Sequence, residues 1–248
     1  MSILLPWPDG YGHIHYETIG STNDEARRLV ATGETGPLWI SANEQTAGRG
    51  RRGREWISPK GNLSATLLIT PRRAAAECAQ LSFVSALAAA DTIVHFAPDE
   101  EVKLKWPNDV LANGRKIAGI LLESASVGGE PYYLAIGVGI NLAHFPHDTE
   151  FPATSLAALG ARLLPPRETL AQLAAHFAKW YDVWHGQGFA PVRDAWLSRA
   201  ASLGSRIRAR LTSGEMSGVF EGIDETGALL LGEGGGRSRA IAAGEVFF

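Results

Sequence analysis

The 248 residues hold 23 Lys+Arg against 26 Asp+Glu, a formal net charge of −3, with 45% hydrophobic and 20% charged residues. That balance excludes a disordered chain and one that binds nucleic acid over its whole surface, and the length suits one large domain or one large plus one small. A single cysteine, Cys78, rules out an internal disulfide; with no secretory signal legible in the first ten residues and with Asp91 and His95 breaking an apolar stretch, a cytoplasmic protein outside any membrane is expected.

Residues 13–18 (HIHYET) alternate like a strand. Ser21-Thr22-Asn23-Asp24-Glu25 then reads as a helix start, with Ser21 or Thr22 as cap, an acidic residue three positions on, and Ala26, Leu29 and Val30 as the apolar stripe. Strands are expected at 38–45 and 61–70, and a long, buried, Ala-rich helix at 77–96. Three further strands follow at 102–105, 117–124 and 132–142; the turn between the first two contains Trp106-Pro107-Asn108-Asp109 and Asn113-Gly114. Residues 153–201 read as helical. From Gly204 the pattern changes to alternation (Arg206-Ile207-Arg208-Ala209-Arg210-Leu211) and Gly-rich turns, which predicts a small all-β module with a hairpin loop at 232–236.

The densest chemical signal is Gly48-Arg49-Gly50-Arg51-Arg52-Gly53-Arg54. It has the lettering of a dinucleotide fingerprint, but no helix opens after it, and positions 72 and 73 are arginines where a ribose-binding acid belongs. What is left is a loop of four guanidinium groups, each able to grip carboxylate or phosphate. Such a loop repels itself when empty and is expected to be mobile until it orders over an anion. Read plainly, it is equally a solvated basic loop or a short RNA-binding arm.

The second signal is Lys103-Leu104-Lys105-Trp106-Pro107-Asn108-Asp109 with Arg115-Lys116-Ile117-Ala118-Gly119-Ile120 after a turn. Pro107-Asn108-Asp109 is a turn signal and Lys116 a hairpin charge. Yet Lys116 opens an apolar run whose Gly119 permits close approach, where a lysine can hold a carboxylate and the charge on a transferring phosphate. The third signal is Gly137-Val138-Gly139-Ile140-Asn141, two glycines on one strand face with a polar end; Gln45, beside the Arg loop, is a further polar group at an element end. No P-loop, H-E-x-x-H or C-x-x-C pattern is present, and His144, His147 and Asp148 read as a solvated loop.

Taken in order, Ser21-Thr22-Asn23, Gln45 to Gly53, Lys105 to Asp109, Arg115 to Ile120 and Gly137 to Asn141 resemble the motifs of biotin protein ligases. The resemblance implies an α+β fold: a mixed β-sheet catalytic domain with flanking helices, of the class II synthetase-like, lipoate–biotin ligase type, over 1–203, and a small SH3-like β-barrel over 204–248. It implies that ATP and biotin form biotinyl-5′-adenylate with Mg²⁺ held mainly by the phosphates, and that the biotinyl group then passes to a lysine of a biotin carboxyl carrier protein. It implies a biotin-binding set of Ser21, Thr22, Asn23, Gln45, Arg49, Gly50, Arg51, Lys116 and Gly119. The implied ATP-binding set is Arg51, Arg52, Trp56, Lys105, Asn108, Asp109 and Asn141, with Lys116, Arg51 and Asp109 as the catalytic group. Asp109 serves either the phosphate and metal side or the incoming lysine. Some relatives carry an N-terminal repressor domain, but the motifs here begin by residue 21, so a ligase without DNA binding is expected, possible as a homodimer through edge strands. The alternative within the same fold is a lipoate or octanoate ligase or transferase.

Overall fold

The computed structural model describes residues 4–127, 130–147 and 149–248, so Asp148 lies outside the described residues. Seven strands form one mixed sheet: β1 (Gly12–Ile19), β2 (Leu38–Gln45), β3 (Leu63–Ile69), β4 (Val102–Lys105), β5 (Asp109–Ala112), β6 (Arg115–Val127) and β7 (Glu130–Ile140), in the spatial order β1-β2-β3-β7-β6-β5-β4. Only β1 and β2 run parallel, with helix α1 (Thr22–Ala31) between them; the other neighbours are antiparallel.

Strand periodicity sorts the side chains onto two faces. Leu38 and Ile40 of β2, Leu68 of β3 and Ala135 of β7 pack with Ala26 of α1. On the opposite face Trp39, Leu67 and Ile136 join a larger core with α2 (Ala75–Ala79), α3 (Leu81–Phe96), α4 (Pro166–Gln187) and α5 (Phe189–Leu197). The long helix expected at 77–96 is two pieces: a tighter turn at Gln80 separates them, and its side chain accepts from Trp184 Nε1 at 2.8 Å and donates to the Glu225 carbonyl at 3.2 Å. The run Ala75–Phe96 is long and apolar enough to cross a membrane, but 61% of its most apolar window is buried inside the protein, the environment of a core helix.

Two expectations are corrected. Asp109–Ala112, read as part of a turn, is the strand β5, too short between two turn signals to show its own alternation. Residues 153–165 are not helical; their backbone is spent on the sheet edge, where Thr154 N–H donates to the Lys116 carbonyl at 2.9 Å and Leu156 N–H to the Asn141 carbonyl at 3.1 Å.

The C-terminal stretch folds as a separate five-stranded antiparallel sheet, in the order β11-β10-β9-β8-β12, consistent with a small SH3-like module. These strands are β8 (Arg206–Leu211), β9 (Gly214–Ile223), β10 (Leu229–Gly234), β11 (Arg237–Ile241) and β12 (Glu245–Phe247). Gly234, Gly235 and Gly236 all take positive φ, which makes the expected hairpin between β10 and β11. Its apolar core is continuous with the first: Trp196 of α5 lies against both Phe83 of α3 and Phe220 of β9.

Candidate functional site

A cavity of about 370 Å³ opens on the α1 face of the mixed sheet, where α1, the Arg loop, the β4–β5 turn and β12 meet. Side-chain alternation determines its floor. Thr66, Gly137 and Leu121 are paired in a row across β3, β7 and β6; Ser64, Gly139 and Gly119 form the next row. The two glycines of β7 and the one of β6 leave that floor bare. A Cβ at Gly139 would lie 2.5 Å from the Trp56 indole, and one at Gly137 2.6 Å from Asn23 Oδ1, so each glycine is the seat of a specific side chain.

At one end stands the start of α1. Ser21 occupies the N-cap position with extended backbone, but no side chain caps the helix. The capping expected of Ser21 or Thr22 is therefore corrected: the Thr22 hydroxyl and backbone N–H both face Gln45 Oε1, at 3.0 and 2.8 Å, and Gln45 Nε2 donates to Ser58 Oγ at 2.9 Å. Asn23 Nδ2 donates to Glu123 Oε2 at 2.6 Å, and its Oδ1 lies 2.6 Å from the Thr66 hydroxyl. Ser21, Thr22 and Asn23 are all buried.

At the other end Asp109 stands between two ammonium groups, Lys116 Nζ at 2.6 Å and Lys105 Nζ at 3.9 Å. Lys116 owes its direction to an irregularity. Pairing shifts between Val110 and Leu111, so that Ile117 is an extra residue on β6 that turns into the core, and Lys116 faces the same side as Gly119. Without that bulge, alternation would turn Lys116 away from the cavity. Lys105 is buried beneath Phe151, its Nζ 3.6 Å from the ring centroid, with Phe247 of β12 5.5 Å away. Burial pushes the Lys105 ammonium below the ordinary lysine range, and Asp109 opposes that shift. Asn108 and Asn141 line the cavity, yet each ties down backbone: Asn108 Nδ2 donates to the Ile120 carbonyl and Asn141 Nδ2 to the Thr154 carbonyl at 3.0 Å.

The Arg loop covers the middle. It turns through one tight helical turn, Arg51–Gly53, with Arg52 in the left-handed region (φ 57°), and closes with Gly50 N–H donating to the Arg54 carbonyl at 2.7 Å. The self-repulsion expected of four arginines is offset by partners. Arg49 forks onto Asp24 of α1 at 2.7 and 2.8 Å, Arg54 reaches Glu245 at 2.9 Å, and Arg51 Nη1 donates to the Gly244 carbonyl at 3.2 Å. The Arg49 guanidinium holds the Asp24 carboxyl below the usual range. Arg52 is exposed and does not line the cavity; of the expected ligand-binding residues it is the one that the fold does not bring there.

Sequence reasoning missed Thr66, Ser58, Glu123, Asp24, Phe151 and the Gly244-Glu245 edge. For Thr66 a signal existed: Ser64 and Thr66 sit on one face of an otherwise apolar strand. Asp24 and Ser58 lie beside expected site residues, but their partners Arg49 and Gln45 are 25 and 13 positions away; Glu123, Phe151 and the Gly244-Glu245 edge are joined to the site over longer distances and carry no local mark.

Residues 17–141 match the Biotin/lipoate A/B protein ligase family, and residues 202–248 match the Biotin protein ligase C terminal domain. The chain is 47% identical over 234 residues to a biotin–acetyl-CoA-carboxylase ligase of Paracoccus denitrificans, covering 92% of this chain and 97% of that one. It is 33% identical over 225 residues to the bifunctional ligase/repressor of Bacillus subtilis, covering 88% of this chain and 68% of that one. Among solved structures, the biotin protein ligase of Aquifex aeolicus in complex with biotin and ATP superposes with a TM-score of 0.81 at 26% identity, covering 95% of this chain and 97% of that one.

Proposed function

Because the chain belongs to the biotin protein ligase family, we infer that it is an ATP-dependent ligase that activates biotin as biotinyl-5′-adenylate and transfers it to a lysine of a biotin carboxyl carrier protein. In the first step a biotin carboxylate oxygen attacks the α-phosphorus of ATP and pyrophosphate leaves. In the second the lysine amine attacks the acyl carbon, loses a proton, and AMP leaves. The carrying observation is a continuous cavity that joins a buried polar end at α1, a glycine floor on which Asn23 and Trp56 rest, and a paired-lysine end. The match of residues 202–248 to biotin protein ligases favours biotin over lipoate or octanoate.

In this reading Ser21, Thr22, Asn23 and Gln45 hold the ureido head group, with Arg49, Gly50 and Gly119 along the way to the carboxylate. Lys116 sits at the junction and stabilises the charge that builds between carboxylate and α-phosphate. Trp56 offers the adenine a flat face, Lys105, Asn108 and Asn141 surround the nucleotide, and Arg51 closes over it; Arg52 joins only through a movement of the loop. Two lysine contacts support Asp109 on the phosphate side, as the group that positions Lys116. Magnesium is assigned to the phosphates as a companion of ATP. Among the described residues no trio of His, Cys, Asp and Glu is placed to hold it. The carrier's identity beyond a biotin-dependent carboxylase, a cytoplasmic setting, and a homodimer through the outer edge of β1 belong to the same proposal.

ATP/pyrophosphate exchange with Mg²⁺ tests the reading, run with biotin, with lipoate or octanoate, and with no acid. Exchange with biotin alone is expected; exchange with lipoate or octanoate instead would overturn it. Arg51→Gly should fold as the parent does and still make adenylate, but release it to solution, because the loop loses one forked grip on the intermediate. Labelled adenylate retained through gel filtration as in the parent would refute that role.

A further inference from the structure

We propose that Glu123, which does not line the cavity, is the positioning residue that fixes the hydrogen-bond polarity of the head-group pocket through Asn23. The proposal rests on the biotin reading above and extends it to a residue outside the binding set.

An ionised carboxylate only accepts hydrogen bonds, so the 2.6 Å contact to Glu123 Oε2 turns the amide nitrogen of Asn23 toward Glu123 and its oxygen toward Thr66. Thr66 is completely buried and has one hydroxyl proton, which the 2.6 Å contact with Asn23 Oδ1 requires it to give there. With its own proton committed to Asn23, Thr66 Oγ1 can only accept across its 2.7 Å contact with Thr22 Oγ1, and because this contact is shorter than the 3.0 Å from Thr22 Oγ1 to Gln45 Oε1, the Thr22 proton goes to Thr66. Thr22 Oγ1 lies 3.0 Å from Gln45 Oε1, and the Thr22 backbone N–H at 2.8 Å fixes that end of Gln45 as the oxygen. Three oxygen–oxygen contacts therefore share two hydroxyl protons. The missing donor falls at Thr22 and Gln45, the members of this relay that line the cavity beside Asn23.

Such a pocket takes a ligand that arrives as an N–H donor, and a cyclic urea brings two. Glu123 is the origin of the arrangement, because it is the only charged member of the relay; Arg49 is close enough to feel that charge. Gly137 leaves Asn23 the room to hold this pose. If the anchor were neutral, the Asn23 amide could turn over, Thr66 and Thr22 would pass their protons toward Gln45, and the shortage of donors at the cavity would vanish.

Glu123→Gln keeps the shape and removes the fixed polarity. We expect it to raise the KM for biotin at least about tenfold in the exchange assay, with kcat, the KM for ATP and the melting temperature close to the parent's. Asn23→Asp in the Glu123→Gln background restores the polarity with the roles exchanged, since an aspartate accepts both from the introduced side-chain amide and from Thr66, and should recover most of the lost biotin affinity. Asn23→Asp alone sets two carboxylates face to face and should bind biotin worse than the double variant. A Glu123→Gln enzyme with the parental KM for biotin, or a double variant no better than Asn23→Asp, would overturn the proposal. The second comparison decides even if Glu123→Gln alone fails to fold. Absence of biotin-dependent exchange in the parent enzyme would instead strike the underlying biotin reading, so the two failures are distinguishable.

Discussion

Lys116→Ala should lose biotin-dependent ATP/pyrophosphate exchange by about a hundredfold or more, while its melting temperature stays within a few degrees of the parent. Lys116 is partly exposed and its backbone is pinned independently of its side chain, through Lys116 N–H to the Pro152 carbonyl at 2.8 Å and Thr154 N–H to the Lys116 carbonyl at 2.9 Å. Removing the ammonium therefore leaves the β6 bulge in place. What disappears is the cation between the glycine floor and Asp109, at the point where carboxylate and α-phosphate would meet. A preorganised charge there is worth about 3 to 4 kcal/mol, the size of a lost oxyanion-hole donor. The same change leaves Asp109 with the more distant Lys105 at 3.9 Å, so ATP affinity should fall as well. Exchange at near-parental rates would remove Lys116 from the chemistry and return it to the role of a hairpin charge.

Gly139→Ala should impair ATP use far more than Gly119→Ala. The two glycines face each other across β6 and β7 and both lie under Trp56, but the geometry is graded. A methyl group at 139 would approach the indole to 2.5 Å, whereas one at 119 would stand 3.2 Å from the ring and 3.4 Å from Lys116 Cε. The first forces Trp56 off its seat; the second asks for a shift of a few tenths of an ångström. Because Trp56 is only half-buried and its ring can yield, stability should drop by no more than about 1 to 3 kcal/mol, the range of a crowded core site. Any backbone shift that accompanies the displaced ring reaches the Arg loop, since the Trp56 backbone N–H donates to the Gly48 carbonyl at 3.0 Å. We expect the KM for ATP to rise at least about tenfold in Gly139→Ala and by less than about threefold in Gly119→Ala, with a red shift of tryptophan emission in the former alone. Equal kinetics in the two variants would mean that Trp56 does not serve the nucleotide.

Most of the strands and helices were legible from local pattern: β2 spans the residues expected as a strand at 38–45, and β8 shows the Arg-Ile-Arg-Ala pattern of a half-buried strand. The errors fall where a local pattern was outvoted by distant partners. Residues 153–165 have a helix-like composition, but the open edge formed by Lys116 and Asn141 claims their hydrogen bonds. In the site, the motifs were visible as runs of unusual residues, while what aims them was not. Nothing near Lys116 in sequence announces that Ile117 bulges, and nothing near Asn23 names Glu123, a hundred positions away. A sequence gives donors and acceptors one at a time; only the fold shows which atom a given proton must go to.

The junction between the two sheets bears on how the molecule comes apart. Phe83, Trp196 and Phe220 interlock across it, and Trp106, within the β4–β5 turn of the site, donates from Nε1 to the Gly227 carbonyl at 3.0 Å. A module joined only by a linker would melt on its own schedule; one that shares aromatic rings and a buried hydrogen bond with its neighbour belongs to the same cooperative unit. Heating should therefore give a single transition in which the small sheet and the ligand cavity are lost together. For the same reason the last strand cannot fray without loosening Arg51, Arg54 and Lys105, so the integrity of the chain's final residues is coupled to the reactivity of a loop nearly two hundred positions upstream.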